Sequence, residues 1–508
     1  MVTKAGTVFN YLQLPDVSQF PFVISKRVDN VFIRKGLFVF TKSNEGFLIG
    51  IIERIILLNE YFTDALTIKA YNTNTNPNIL KGLFPSEDFE FAIAIVKSLG
   101  IIKFKGKSSN KIEKILRMTY PASPGRDVYI VEEDILNEFI GFEQKNGLEV
   151  GRVKVTHTMA KINMSRLLNK HFAILSISGG GKSYLTSILI EELLKRDAEY
   201  GTPAIILFDV HGEYSYLKEI PELKDKVSVQ DISYFQISVP KMPLYTFKKY
   251  QEDISNVQIR ELAKFIKKLK KDESKKKGYT IGDIIEALEN ELEGNKNSRQ
   301  ALIGWLSNLE RLTIFGSQEN PILDNIIEKQ KLIIFNLQKE VSIRKKQIMV
   351  DYICTRLFNL RRLNKIPPFL LIIEEAHQFC PEAAHSKAIS KPIIETIARE
   401  GRKFMSCLCL ISQRPKRLST TALSQCNSKM VLNIKNPYDI KHLMDSSESI
   451  TKEYGNMISS LGVGEMLLMG SAINYPVFID IRERLYKSVS EESTLAQVCL
   501  KWESKQLK

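Results

Sequence analysis

The chain has 508 residues, a hydrophobic fraction of 44%, a charged fraction of 26% and a formal net charge of +14. A chain of this length is too long to fold around a single hydrophobic core, which predicts two or three domains. Its six cysteines do not suggest a disulfide framework, and charges interrupt every apolar run before it could span a membrane. We expect a soluble, cytoplasmic protein with no membrane partner. The basic excess fits either simple solubility or attraction to a polyanion such as nucleic acid.

The first 150 residues have the composition of a small β-rich domain. They are rich in β-branched and aromatic residues, and short runs of these residues alternate with turn signals. The predicted strands cover residues 31–42, 46–58 and 65–71. We therefore expect an N-terminal β-barrel domain over residues 1–150, with its boundary in the stretch 147–154.

From residue 171 onwards, short apolar runs alternate with helical patterns. Buried parallel strands look like continuous apolar runs, because helices cover both faces of their sheet. The runs lie at residues 172–177, 204–208, 331–336, 369–373, 406–411 and 430–434. Their alternation with helices predicts a doubly wound α/β domain over residues 151–485.

Two segments depart from this alternation. Residues from about 250 to 330 have helical patterns, and we interpret them as a helical insertion in the α/β domain. Within it, residues 260–278 are strongly basic and carry one apolar stripe. Such lysine runs form a solvated face more often than a binding site. Residues 486–508 predict a short polar helix or tail.

The segment SISGGGKS, residues 176–183, follows an apolar strand and opens a helix, which is the context of a phosphate-binding loop, or P-loop. Its three glycines let backbone amides curl around phosphate oxygens. Lys182 would reach the β- and γ-phosphates of ATP, and Ser183 would hold Mg²⁺. Ser176 stands where the usual pattern has its first glycine, and we expect this small residue to keep the turn. The predicted nucleotide contacts are Ser178, Gly179, Gly180, Gly181, Lys182, Ser183 and Tyr184.

The apolar run at residues 369–373 ends in two acidic residues, Glu374 and Glu375. A P-loop enzyme needs one carboxylate to bind Mg²⁺ through its water shell and another to orient the attacking water. Glu374, still on the strand, suits the first role. Glu375, just past the strand end, suits the second. Two glutamates that end a strand are common by themselves, and it is their combination with the P-loop that makes them indicative.

Two further predicted strands end in polar residues. Ligands of an open parallel sheet bind outside the carboxyl ends of its strands. Asp209, His211 and Glu213 lie just beyond the run at residues 204–208, and we expect Asp209 at the nucleotide site. Gln413 follows the run at residues 406–411. It is a candidate sensor of the γ-phosphate, because an amide can both donate to phosphate and accept from water.

The motif AREGRK, residues 398–403, places Arg399 and Arg402 on one face at the end of a predicted helix. These cations could simply stabilise the helix C-terminus through its dipole. They could also supply an arginine finger, which stabilises the transition state of phosphoryl transfer. The chain has a single P-loop, so such an arginine would most simply come from a neighbouring subunit. That arrangement predicts a closed ring.

Five motifs occur in the order HFAILSISGGGKS, LFDVHGEY, IIEEAH, AREGRK and ISQRP. In this combination the chain resembles the HerA branch of the HerA–FtsK superfamily. The segment before the P-loop resembles the end of that family's N-terminal barrel. The resemblance implies a RecA-like core in a homohexameric ring that pumps double-stranded DNA with ATP. It also implies a nuclease partner, typically of the NurA type, in the processing of DNA ends.

The resemblance assigns roles to particular residues. It implies that Lys182 and Ser183 bind nucleotide and Mg²⁺ and that Glu375 is catalytic. It implies that Arg402, or Arg399, acts on the neighbouring subunit. Related rings carry a basic residue just before the P-loop strand that also faces the neighbour's nucleotide, and Lys170 holds that place here.

Other functions use the same core. A genome-packaging ATPase is one alternative, and a ring that scaffolds or regulates an effector nuclease in antiviral defence is another. ATP turnover stimulated by DNA alone would favour the motor, whereas turnover that needs a partner protein would favour the scaffold. Lys387 and Lys391 are candidates for DNA contact in the ring channel, and they are equally compatible with an ordinary charged surface.

Overall fold

The computed structural model describes residues 3–10, 14–25, 32–59, 62, 64–73, 90–105, 111–272, 278–291, 295–384, 386–446 and 452–486. The chain folds into two compact units. The first comprises residues 1–145 and 152–161, and the second comprises residues 146–151 and 162–508. Among the described residues, no helix combines the length and apolar character needed to cross a membrane.

The first unit contains an antiparallel barrel. Its elements in chain order are β1 (Lys4–Val8), β2 (Gln19–Ile24), β3 (Phe38–Ser43), β4 (Gly46–Asn59), α1 (Ala65–Thr73), β5 (Glu90–Phe104), β6 (Ile112–Leu116), β7 (Asp127–Ile130) and α2 (Glu133–Ile140). In the described part of this unit, the strand order is β2-β1-β7-β3-β4-β5-β6, and β2 also pairs with β5. That extra pairing closes six strands into a ring, with β6 attached outside it. Phe20, Phe22, Val39 and Leu48 are among the side chains that fill its core.

The predicted barrel is confirmed, but not every predicted strand. The strand predicted at residues 46–58 is β4, and the described part of 31–42 is extended only from Phe38. The strand predicted at residues 65–71 is wrong, because this segment is helix α1. Asp64 caps the helix: its Oδ1 accepts the backbone N–H groups of Leu66 at 2.7 Å and Thr67 at 2.9 Å. The cap favours a helix over a strand here.

The residues of β8 (Leu148–Val153) and β9 (Met159–Ile162) are divided between the two units, and α3 (Met164–Leu168) belongs to the α/β unit. The strands that follow are β10 (His171–Leu175), β11 (Ala204–Asp209), β12 (Val227–Asp231), β13 (Ile237–Ser238), β14 (Phe315–Gly316), β15 (Leu332–Asn336), β16 (Phe369–Ile373), β17 (Ser406–Ser412), β18 (Cys426–Val431), β19 (Glu465–Gly470) and β20 (Val477–Ile481). The helices are α4 (Lys182–Lys195), α5 (Leu244–Tyr250), α6 (Asn256–Lys271), α7 (Ile281–Glu289), α8 (Lys296–Glu310), α9 (Leu323–Ile326), α10 (Ile343–Arg362), α11 (Lys391–Glu400), α12 (Thr420–Gln425), α13 (Pro437–Asp445) and α14 (Lys452–Ser459).

The main sheet of this unit is parallel at its centre. The parallel strands run in the order β12-β15-β11-β16-β17-β10-β18, and β19 and β20 continue the sheet in antiparallel pairing. All six predicted apolar runs are strands of this parallel set, so the predicted doubly wound α/β fold is confirmed. β16 has the predicted bounds, whereas β18 begins four residues earlier than predicted and ends three residues earlier. The carboxyl ends of these strands lie along one edge, which positions the motifs that follow them.

The helical insertion is also present, as α6, α7 and α8 between β13 and β14. Ser255 begins α6 with a capping box, in which its side chain accepts from the Gln258 backbone N–H and the Gln258 side chain accepts in return. Leu262, Phe265 and Leu269 bury the inner face of α6. This is the apolar stripe expected from the sequence.

Candidate functional site

The loop between β10 and α4 has the geometry of a phosphate cradle. Gly179 has φ 72° and Gly181 has φ 94°, a conformation that glycine adopts without strain. A Cβ on Gly180 would lie 2.0 Å from Ser176 Oγ, so this glycine is required by space. Ser176 is buried, and its hydroxyl donates to the Asn433 carbonyl oxygen at 3.3 Å. The residue that departs from the usual P-loop pattern therefore ties the loop to the chain beyond β18.

Lys182 carries its charge inside this loop. Its side chain is 9% exposed, and Nζ donates to the Ile177 carbonyl oxygen at 3.0 Å. Burial lowers the pKa of Lys182, and the nearby carboxylates of Glu375, Glu374 and Glu213 act against that shift. Lys182 is the first residue of α4, whose 14 residues direct a positive dipole end at the loop. The arrangement suits a polyphosphate.

Glu374 and Glu375 follow β16 and are buried, but their oxygens are used differently. Glu374 Oε2 accepts the Val210 backbone N–H at 2.9 Å, which tethers this carboxylate to the end of β11. Glu375 has left-handed backbone angles, φ 46° and ψ 43°, which are uncommon outside glycine and turn its side chain off the strand line. Its Oε2 is buried and accepts no hydrogen bond from the described residues. Glu375 therefore has an open acceptor, while Glu374 is held.

The electrostatic surroundings of Glu375 are mixed. Burial raises its pKa, while Lys182, His211 and the backbone N–H of Gln413 act in the opposite direction. Its Oε2 lies 3.2 Å from His377 Nδ1. Burial, with help from nearby cations, lowers the pKa of His377 to about 4, so this ring is neutral near pH 7 and gives no ion pair. Lys182 is thus the main counter-charge to Glu375.

Asp209 shapes the loop that follows β11. Its Oδ1 accepts the backbone N–H groups of Gly212 at 2.7 Å and Glu213 at 3.1 Å, and its Oδ2 accepts that of Tyr214 at 3.0 Å. These bonds hold His211 and Glu213 near the P-loop lysine and the acidic pair, where His211 Nε2 lies 3.9 Å from Glu375 Oε1. The sequence indicated all three residues at this strand end, but it assigned a nucleotide contact to Asp209 alone. The strand-end position of the motif DVHGEY was the signal available for all three.

A C-terminal segment that the sequence did not indicate contacts the P-loop helix. Glu191 on α4 is 1% exposed, and its Oε2 accepts from the Arg482 guanidinium at 3.2 Å and from the Leu485 backbone N–H at 3.1 Å. The Arg484 guanidinium lies 4.5 Å from the centre of the Tyr184 ring, next to Ser183. No local pattern reveals a pairing between residues this far apart in the chain. The residues that follow β20 therefore pack against α4, the helix that begins at the nucleotide site.

The arginines predicted to act on a neighbour lie at the opposite end of the sheet from the P-loop. Arg399 ends α11, and Arg402 lies in the 3₁₀ turn Gly401–Phe404 that leads into β17. A Cβ on Gly401 would lie 3.0 Å from His171 Cε1, so this turn adjoins the first residue of β10. Both arginines are exposed and form no ion pair within the described chain. Lys170 immediately precedes β10 and lies at the same amino edge.

The remaining predicted residues differ in environment. Gln413 directly follows β17, and its backbone N–H faces Glu375, as expected for a residue at the carboxyl edge. Lys387 is exposed, whereas Lys391 Nζ lies 3.7 Å from Glu395 Oε1 at the start of α11. Of the two lysines proposed for DNA contact, only Lys387 has its charge available.

The fold and this edge of the sheet together define a RecA-like P-loop ATPase. The structure of VirB4 of Thermoanaerobacter pseudethanolicus has the same fold, with a TM-score of 0.51 at 14% identity over 68% of this chain and 99% of that chain. Residues 148–357 match the family model described as the central domain of the helicase HerA.

Full-length relatives agree with this match. The chain is 29% identical to a probable helicase of Methanocaldococcus jannaschii over 95% of its own length and 97% of the relative. It is 25% identical to the DNA double-strand break repair helicase HerA of Pyrococcus furiosus, over 88% and 87% of the two chains. The chain is thus similar to HerA-type helicases over most of its length, and it is an ATP-hydrolysing enzyme.

Proposed function

We propose that this protein is a DNA-translocating ATPase that works as a homohexameric ring on duplex DNA. The names of its relatives support action on DNA, since they include helicases of double-strand break repair. The net charge of +14 supports attraction to a polyanion. The observation that carries the proposal is the separation of the two sets of catalytic candidates on opposite edges of one sheet.

The ATP site is assigned to the carboxyl edge. The glycine cradle, the buried Lys182 and the open Oε2 of Glu375 fit a nucleotide with its metal. Ser183 and the water shell beside Glu374 would hold Mg²⁺, which supplies positive charge against the phosphate oxygens. Glu375 would take the proton of the attacking water, since its carboxylate has an unused acceptor. Gln413 would sense the γ-phosphate from the neighbouring strand end.

The amino edge of the sheet supports the proposed ring. β17 has seven residues, so at about 3.3 Å per residue its ends are about 20 Å apart, too far for Arg402 to reach the ATP of its own subunit. An exposed cation is most useful where charge develops in the transition state. In a ring, Arg402, Arg399 and Lys170 can face the ATP of the next subunit. The closed assembly also encloses DNA, with Lys387 as a candidate for the channel surface.

A nuclease is the partner that this activity implies, because a motor that moves duplex DNA does not itself cut strands during end processing. The resemblance to the HerA branch and the repair function named for its relatives support this partnership. The alternative is a ring that mainly scaffolds an effector nuclease.

The test measures ATP turnover with and without linear duplex DNA. The expected result is strong stimulation by DNA of any sequence, which weakens as salt rises because phosphate contacts release counterions. Lys387→Gln should reduce the stimulated rate more than the basal rate, while Lys365→Gln, another exposed lysine, should change neither. If DNA does not change the rate of ATP turnover and only a nuclease raises it, the protein is a scaffold for that nuclease and not a DNA motor.

A further inference from the structure

Helix α6 of the insertion presents a regular row of positive charge to solvent. Arg260, Lys264, Lys267 and Lys271 are exposed and follow one another at intervals of four, three and four residues. This spacing puts them on one face, opposite the buried face of the helix. At 1.5 Å per residue the row, here called the basic stripe, is about 16 Å long.

No acidic side chain neutralises the basic stripe within the described chain. Two acids nearby are engaged on its flanks, where Glu291 binds Lys268 at 2.7 Å and Glu261 lies 3.4 Å from Arg299. Asp272 follows the stripe as the C-cap of the helix. Like charges at these spacings destabilise an isolated helix. A face that only needed to be soluble would mix both signs. The stripe keeps one sign over three turns.

The stripe also lacks the features of a protein interface. Every exposed residue of α6 between 260 and 271 is a lysine or an arginine. Stable protein interfaces need several apolar or aromatic anchors that become buried, and the one exposed apolar residue of α6 is Val257, just before Arg260. A linear row of separated cations instead matches the repeating charges of a phosphate backbone, which is bound without reading the bases.

We propose that the basic stripe of α6 binds the phosphate backbone of duplex DNA as a contact separate from the ATPase edges. The stripe lies in the insertion, not on the strand-end loops expected to line a ring channel. It would hold DNA by charge alone and raise its local concentration at the motor. This inference rests on the proposed function, because it supplies a second site for the same substrate.

The test compares two quadruple variants of equal charge. One is Arg260→Gln, Lys264→Gln, Lys267→Gln and Lys271→Gln. The control is Lys218→Gln, Lys224→Gln, Lys329→Gln and Lys365→Gln, which removes four exposed lysines of the same unit. Glutamine keeps helix propensity, and thermal unfolding checks that both variants fold.

The readout is duplex DNA affinity across salt concentrations. Each phosphate contact contributes about 0.9 to the slope of log affinity against log salt, so loss of the stripe should lower that slope by about 3 to 4 and the low-salt affinity at least about tenfold. The pair Lys264→Gln and Lys267→Gln should lower the slope by about 2. Basal ATP turnover should stay at the wild-type rate, as in the control.

A stripe variant whose salt slope equals that of the control overturns the inference. So does a variant that keeps its DNA affinity but no longer binds a nuclease or another acidic protein, which would make α6 a protein-binding surface. If the wild-type protein shows neither DNA binding nor DNA-stimulated turnover, the proposed function itself is wrong. If the wild-type protein binds DNA and the stripe variant binds it equally well, only the inference about the stripe is wrong.

Discussion

At the carboxyl ends of the parallel strands, Lys182 and the glutamates after β16 are buried, whereas the arginines at the amino ends are exposed. Lys182 and Glu374 are only 9% and 2% exposed, and both contact backbone groups of their own subunit. Arg399 and Arg402 have no such partners in the described chain. The first edge is therefore organised before any ligand arrives, and the second needs another molecule. Four experiments test this difference between the carboxyl edge and the amino edge.

The largest effect is expected at Lys182. Lys182→Ala removes the buried cation that would neutralise the phosphates, so ATP turnover should fall more than about a thousandfold. The fold should survive, since no ion pair of the described chain depends on this side chain. ATP hydrolysis and thermal unfolding of the variant check both statements. Near-normal turnover would remove the assignment of the ATP site.

The two glutamates should differ from each other. Glu375→Gln removes a base with an open acceptor, so ATP should still bind but turn over about a hundred to a thousandfold more slowly. Glu374→Gln keeps the bond from Val210 and should mainly weaken Mg²⁺ binding, so that turnover requires a higher Mg²⁺ concentration. The measurement is nucleotide retention against single-turnover hydrolysis. If Glu374→Gln traps ATP while Glu375→Gln hydrolyses normally, the roles are reversed.

The amino edge is tested by mixing inactive subunits. Arg402→Ala and Lys182→Ala should each be inactive alone, but a mixed ring contains interfaces that join an intact P-loop to an intact arginine. At equal mixing, random assembly gives about a quarter of the wild-type number of such interfaces, so turnover should recover to about that fraction. The rings are dissociated, mixed and reassembled before the assay. If turnover stays at zero at every mixing ratio although subunit exchange is verified, Arg402 does not act on the neighbouring subunit. Arg399 is then tested in the same way.

The smallest expected effect on ATP turnover concerns the buried histidine at the amino edge, whose contribution is to stability. Burial lowers the pKa of His171 from 6.5 to about 4. The folded state therefore binds this proton less well than the unfolded state, so the stability that neutral His171 contributes is complete above pH 6.5 and is lost as pH falls towards 4. Within that window the unfolding equilibrium constant should change by up to about tenfold per pH unit. Wild type and His171→Gln are compared by denaturant unfolding, so that other titrating groups cancel. Parallel pH profiles would contradict the prediction.

The sequence was sufficient for most of the parallel sheet because strands such as β11, β16 and β17 are buried on both faces and appear as uninterrupted apolar runs. The edge strand β12 was not predicted, because its sequence VSVQD is half-buried and mixes polar with apolar residues. It failed at α1, whose residues are compatible with a strand and whose helix depends on the cap from Asp64. The P-loop and the acidic pair were recognisable because each follows a strand. The amino-edge position of Arg402 also follows from chain order, since its helix precedes β17.

Other parts of the site could not be predicted because they depend on tertiary contacts. Asp209 was expected to serve the nucleotide, yet its oxygens bind three backbone N–H groups of its own loop. The tether between Glu374 and Val210 joins the residues just past the ends of β16 and β11, two strands that are neighbours only in the folded sheet. Local sequence patterns contain no information on such pairs. Such tertiary contacts decide which of the two adjacent carboxylates keeps an oxygen free to accept a hydrogen bond.

The buried carboxylate of Glu191 has a practical consequence for domain boundaries. Both of its oxygens accept bonds from residues after β20, including the Leu485 and Tyr486 backbone N–H groups at 3.1 and 3.2 Å. A fragment cut at the last strand would leave this anion in the interior of α4 without its donors, and unpaired buried charges are strongly destabilising. The smallest autonomous ATPase fragment therefore has to extend through Tyr486, although that residue lies far along the chain from the P-loop it supports.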